Sequence, residues 1–198
     1  YWREKFLVRH FYESYENIPL AEVRLKDFLA DMEHHDFAQE LRMLESLKGK
    51  GSLMEGFEFL DGSGNTLSWN EVATGEVILV EFCISGCKAC LAFNEQTLSV
   101  LKEKYEETPR FQVITVSADF DEELWQKSLQ SGRYTQSEFT NLYTGKENRN
   151  HPFLLRYGIS SFPNRILIDR EGRFIQTSQV PFLAPELIDL IESELDPN

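Results

Sequence analysis

Residues 77–82 read Val-Ile-Leu-Val-Glu-Phe, a near-continuous apolar run. A strand of this kind has to be covered on both faces, which a layered fold achieves. Residues 111–116 (Phe-Gln-Val-Ile-Thr-Val) and 165–169 (Arg-Ile-Leu-Ile-Asp) read the same way. Helix-like runs follow or separate them at 88–105, at 121–130 with Asp121 near the cap, and at 185–195 with Leu187, Ile188, Ile191 and Leu195 apolar. Strands alternating with helices predict an α/β layer fold. Residues 57–60 alternate, and Asp61-Gly62-Ser63-Gly64-Asn65 is a turn cluster, so a short hairpin opens this region. A turn at 170–172 and a returning strand at 173–176 make the sheet mixed. Residues 131–150 show no clear period, and 151–157 suit one or two helical turns.

Ahead of this lies a helical stretch. Asn17-Ile18-Pro19 reads as a cap followed by proline in the first turn. Leu20, Val23, Phe28, Leu29 and Met32 then recur at roughly helical spacing. Asp36 starts a further helix with Phe37, Leu41, Leu44 and Leu47 on one face. Gly49-Lys50-Gly51-Ser52 ends it, which predicts a helical extension over residues 1–51 and a second unit over 52–198.

The chain has 198 residues, 41% hydrophobic and 27% charged, the profile of a globular fold with one sizeable core. Twenty Lys and Arg against 33 Asp and Glu leave 20 − 33 = −13, which argues against a nucleic-acid partner. No apolar run approaches the roughly 20 residues that span a bilayer. The first residue is Tyr1, as in a mature or trimmed segment, so a missing signal peptide carries little weight.

Cys87-Lys88-Ala89-Cys90 falls at the turn from the strand at 77–82 into the helix at 88–105. Two thiols spaced this way can close a small disulfide ring. Free backbone N–H groups and the helix dipole favour negative charge at the helix start, and Lys88 adds a cation there. Cys87 therefore reads as the attacking sulfur and Cys90, one turn in, as the resolving one. A zinc site would need four ligands. Only Cys83 and four histidines remain, and none shows a second paired spacing. Cys83-x3-Cys87-x2-Cys90 also matches the iron–sulfur spacing of radical enzymes that use S-adenosylmethionine. About 110 residues follow it here, too few for the usual barrel. Cys83 reads as a small core residue.

Glu81 interrupts the apolar strand six residues before Cys87. A buried carboxylate is costly unless paired or protonated, and burial raises its pKa towards neutrality. A base that takes the Cys90 proton is one reading, and an edge position facing solvent is the other. Phe162-Pro163 stands just before the strand at 165–169. A cis bond there would expose the backbone of Phe162 to a substrate strand. A trans bond would merely precede a strand, and the residues alone leave both open.

These marks in order resemble the thioredoxin fold, and specifically the TlpA/ResA-like branch of bacterial thiol–disulfide oxidoreductases. The resemblance covers roughly residues 52–198. It rests on 57–67, on 76–90, on 111–117, and on 157–174, where Tyr-Gly-Ile-Ser-Ser-Phe-Pro leads into Ile-Leu-Ile-Asp-Arg-Glu-Gly-Arg. It implies a three-layer α/β/α sandwich with a mixed central sheet. Cys87 then matches the nucleophile, Cys90 the resolving cysteine and Glu81 the buried acid. Pro163 matches the cis-proline and Phe162 the substrate-contacting residue before it, with Gly86 and Lys88 flanking the nucleophile on the substrate side. The stretch 118–157 falls where this branch carries extra structure. Gly86 stands where thioredoxins usually have Trp, Cys83 replaces a common aromatic, and Lys88-Ala89 replaces Gly-Pro. The Pro-x-x-x-Thr/Ser-x-x-Cys pattern of the related peroxiredoxin group is missing, since no proline lies between residues 53 and 86, which argues against a peroxidase.

The resemblance implies exchange of electrons with protein disulfides, as a reductant, through a redox-active Cys87–Cys90 disulfide and no other cofactor. It implies a periplasmic or extracytoplasmic location, tethering through a lipid anchor upstream, and a membrane or periplasmic thiol donor. The competing class is a non-catalytic binding module with a structural disulfide, docking a partner through residues 1–50.

Overall fold

The computed structural model describes residues 1–15, 21–177 and 180–196. The expected cap at Asn17-Ile18-Pro19, and Leu20, lie outside the described residues.

Among the described residues the strands are β1 (Glu58–Leu60), β2 (Thr66–Ser68), β3 (Val77–Cys83), β4 (Phe111–Ser117), β5 (Thr140–Tyr143), β6 (Asn164–Asp169) and β7 (Phe174–Gln176). They form one mixed sheet in the order β2-β1-β5-β4-β3-β6-β7. β3, β4 and β5 run parallel, β6 pairs antiparallel with β3, and β7 with β6. The expected hairpin is present, with Phe59 opposite Leu67. Every residue of β3 is buried, as its apolar run requires.

Alternation along the strands feeds two cores. On one face Ile78, Val80, Phe82, Ile114, Val116, Ile166 and Ile168 pack against the short helices α4 (Trp69–Val72) and α8 (Pro152–Arg156). On the other Val77, Leu79, Val113 and Leu167 pack under α5 (Lys88–Phe93), α6 (Ser99–Tyr105) and α9 (Ala184–Leu195). Each fully buried aliphatic side chain contributes about 1.5–3 kcal/mol, so these two layers hold the sheet between them.

The run at 88–105 is continuous but not uniform. A π-turn over Asn94–Leu98 separates α5 from α6. Asn94 and Thr97 of this turn are buried, whereas Glu95 and Gln96 are exposed. Asn94 donates to the Gly132 carbonyl, Thr97 to the Phe182 carbonyl, and the Ser99 hydroxyl to the Asn94 carbonyl. The extra residue per turn re-aims the helix to meet those acceptors.

Between β4 and β6 lies α7 (Glu122–Ser131), which starts where Asp121 caps the Leu124 N–H at 2.8 Å. β5 was not visible in the period of 131–150. It is four residues long, and its first two are polar groups tied to neighbouring strands. Gln112 donates to the Thr140 hydroxyl, and Asn141 accepts from Thr115 and Thr135.

α1 (Trp2–Ser14), α2 (Ala21–Ala30) and α3 (His35–Lys48) build a separate cluster around Val8, Phe11, Tyr15, Leu25, Leu41 and Leu44. The predicted stripe on α2 shifts: Leu25 is buried with Phe28 and Leu29 beside it, whereas Val23 is exposed. Leu25, Phe28, Leu29 and Met32 keep the spacing of one helix face, and Val23 lies off it. Leu47 turns away to pack on the sheet cluster. Past α3 the backbone runs beside β7, where Gly51 donates to Phe174 at 2.7 Å and Phe174 donates to Ser52 at 3.0 Å. Among the described residues no helix is long and apolar enough to cross a membrane.

Candidate active site

β3 ends at Cys83, and the next four residues carry the chain to the start of α5. Asp119, buried at the end of β4, accepts from the Ser85 N–H at 2.6 Å and the Ser85 hydroxyl at 2.7 Å. Gly86 follows at φ 81°, a left-handed turn that a residue with a Cβ adopts only at a cost. Its N–H donates to the Tyr134 hydroxyl at 3.0 Å. The loop is thus pinned from two sides before it delivers Cys87.

Cys87 is the N-cap of α5, and its sulfur accepts from the Cys90 N–H at 3.2 Å. It takes the place of the usual side-chain oxygen at this position. Cys87 is half-buried, whereas Cys90 is fully buried one turn in; both are free thiols here. Burial first, and the hydrogen bond to Cys87 second, push the Cys90 thiol far above its ordinary range. An accessible sulfur and an inaccessible one therefore sit side by side at one helix start.

Phe162-Pro163 is a cis peptide bond. The Cys87 thiol donates to the Phe162 carbonyl oxygen at 3.5 Å. The Phe162 ring carries the Arg149 guanidinium at 5.5 Å, on the 3-10 turn that follows β5. Lys88 and Gly86 are exposed on either side of Cys87.

Glu81 occupies the middle of β3 and is 1% exposed, so the edge reading is overturned. Among the described residues neither carboxyl oxygen meets a partner within hydrogen-bond geometry. Burial pushes its pKa up to about 8, against smaller pulls downward from the Cys83 thiol and the Arg165 charge. By alternation Glu81 faces the same side of the sheet as Leu79, beneath α5, and its charge acts on Cys90. Cys83, two residues on, is a buried thiol raised well above its ordinary value by burial and by Glu81.

The structure therefore brings Cys87, Cys90, Phe162, Pro163, Gly86 and Lys88 to one end of the sheet, with Glu81 inside β3 behind them. The sequence reading missed Asp119, Tyr134, Arg149 and Arg165. Arg165 carried a usable signal, since a charged residue inside an apolar strand is the signal that singled out Glu81.

Comparison with known proteins agrees with this architecture. No curated protein matches the sequence. The thioredoxin domain of a thiol–disulfide oxidoreductase from Bacteroides vulgatus superposes with a TM-score of 0.61 at 24% identity, over 75% of this chain and 99% of that one. A thiol:disulfide interchange protein from a Bacteroides species gives 0.60 at 26% identity, over 75% and 90%. A thioredoxin-like protein from Bacteroides caccae gives 0.62 at 18% identity, over 85% of this chain and 60% of that one. A family model described as thioredoxin-like matches residues 75–174, half of the chain, and spans the strand, the cysteine pair and the Phe162-Pro163 turn. On that match and this fold, the chain belongs to the thioredoxin-like family.

Proposed function

We propose that the protein is a thiol–disulfide oxidoreductase that reduces protein disulfides through Cys87 and Cys90. The observation that carries this is the pairing of a half-buried sulfur at a helix N-cap with a buried one a turn behind it, above an unpartnered buried carboxyl. Cys87, as thiolate, attacks one sulfur of the substrate disulfide. A mixed disulfide forms, and the other substrate sulfur leaves as a thiolate. Cys90 then gives its proton to the Glu81 carboxylate and attacks the Cys87 sulfur. The second substrate sulfur departs, and the Cys87–Cys90 disulfide holds the two electrons' worth of oxidation that the substrate lost. Glu81 returns its proton as the dithiol is regenerated by an external thiol donor.

The rim fits a backbone substrate. The Phe162 carbonyl borders Cys87, so an extended segment can pair there and set its disulfide over the sulfur. Gly86 in place of a bulky residue and the exposed Lys88 leave that approach open. The similarity to Bacteroides thiol–disulfide oxidoreductase and interchange proteins supports disulfide exchange in a bacterial setting. The proposal extends this, on the TlpA/ResA-like resemblance alone, to an extracytoplasmic location with a membrane-linked or periplasmic thiol donor and a lipid tether. The test is turnover of a peptide disulfide with a dithiol donor, comparing wild type with Cys87→Ser. Loss of turnover in the variant is expected. Turnover retained without Cys87 sinks the proposal.

A further inference from the structure

Arg165 on β6 stands directly opposite Glu81 of β3 in the antiparallel register. Directly opposed residues project to the same face, with Cβ atoms about 5 Å apart. That face is the one under the Cys87 helix, because Leu79 and Leu167, two residues from Glu81 and Arg165, both pack there.

The guanidinium is held in place. Nε and Nη2 both donate to the Val180 carbonyl oxygen, at 3.2 and 3.0 Å. Its carbon lies 5.1 Å from the Phe93 ring centroid and 5.4 Å from that of Phe182. Those two rings are themselves in contact at 5.2 Å. Phe93 is on the same turn of helix as Cys90, so the clamp that fixes the cation is built partly from the helix that carries the resolving thiol.

We propose that Arg165 is a positioning residue for the resolving step, its clamped charge opposite Glu81 governing proton exchange between Glu81 and Cys90. The inference rests on the oxidoreductase reading above. Among the described residues, the titratable or charged groups that act on Glu81 are Cys83 from its own strand, Cys90 from α5 and Arg165 from β6. From β4 the register neighbour is Thr115, whose hydroxyl is engaged with Thr135 and Asn141. Among the described residues Arg165 is therefore the cation that opposes the cost of burying the carboxylate. It also attracts the Cys90 thiolate, so a single charge steadies both proton-transfer partners. Without it the Glu81 pKa rises further above about 8, and the ionised fraction that can take the Cys90 proton at neutral pH falls.

The test uses Arg165→Met, Arg165→Gln and Arg165→Lys with two readouts. One is the NMR titration of the Glu81 carboxyl carbon in the oxidised protein, which needs no catalysis. The other is the pH profile of substrate release from a preformed Cys87 mixed disulfide. In Arg165→Met the Glu81 midpoint is expected to rise by about one pH unit, and release at pH 7 to slow about tenfold and recover as pH rises. Arg165→Lys restores much of the wild-type profile. Where Arg165→Met does not fold, Arg165→Gln is judged by the same criteria. Wild-type exchange with an unchanged midpoint and profile in the uncharged variants overturns the role of Arg165 alone. Absence of exchange in wild type overturns the underlying reading, and the role with it.

Discussion

The Cys87 sulfur lies 3.5 Å from the carbonyl oxygen of Phe162, 75 residues further along the chain. The two meet because β3 and β6 are neighbours in the sheet, and each leads from or into a turn at the same end. A sulfur attacked or attacking at this position has a backbone acceptor at its side. Cys90→Ser should accumulate a mixed disulfide between Cys87 and a peptide disulfide substrate, seen as an added mass that dithiothreitol removes. No adduct, under conditions where wild type turns over, contradicts the order of attack.

Glu81 makes the stability of the fold depend on pH. Its folded pKa of about 8 lies above the ordinary 4.5, so the folded state holds the proton more tightly than the unfolded chain. That contribution is fully present below about 4.5 and is lost as pH rises through 8. Glu81→Gln removes the ionisation. The variant should gain on wild type by an amount that grows between pH 4.5 and 8, reaching on the order of a few kcal/mol. Denaturant melts across that range measure it, and a constant difference contradicts the burial account. The same variant should slow substrate release, because the proton acceptor for Cys90 is gone.

Asp119 shapes the loop ahead of Cys87 through two bonds from Ser85. Asp119→Ala leaves the Ser85 N–H without its acceptor. The expected cost is about 1–3 kcal/mol in unfolding free energy. The exchange rate should fall with it, since Gly86 and Cys87 lose their fixed approach. Unchanged kcat/KM with a lowered Tm would confine Asp119 to stability.

The N-terminal helices have their own cluster, apart from the two that sandwich the sheet. Leu41→Ala in that cluster should cost about 2–5 kcal/mol of its local stability. Amide exchange in α1 to α3 should accelerate while β3 and β4 stay protected and disulfide turnover is unchanged. Loss of protection in β3 would show that the two parts fold as one unit.

Much of this molecule was legible from pattern because β3 permits little else. Seven buried residues followed by a cysteine pair need a covered strand and a helix start. Glu81 stood out as the residue that broke the apolar run. The hairpin at 57–67 and the cap at Asp121 were readable because turn and cap residues act locally. β5 was not, since Thr140 and Asn141 satisfy neighbouring strands instead of showing alternation. The π-turn at Asn94 was hidden for the same reason: its cause lies in carbonyls at Gly132 and Phe182, far along the chain. Asp119, Tyr134 and Arg149 carry no motif, and their roles come from what the fold places beside them. Arg165 was within reach, but its meaning depended on the register that sets it opposite Glu81.

The most direct test of the account is the reduction potential of the Cys87–Cys90 pair, by equilibration in glutathione and dithiothreitol buffers with thiol alkylation and mass readout. A reversible two-electron couple between roughly −120 and −270 mV, the range of catalytic dithiols, is the predicted result. A disulfide that resists reduction below about −300 mV would mark a structural bridge and contradict the assignment.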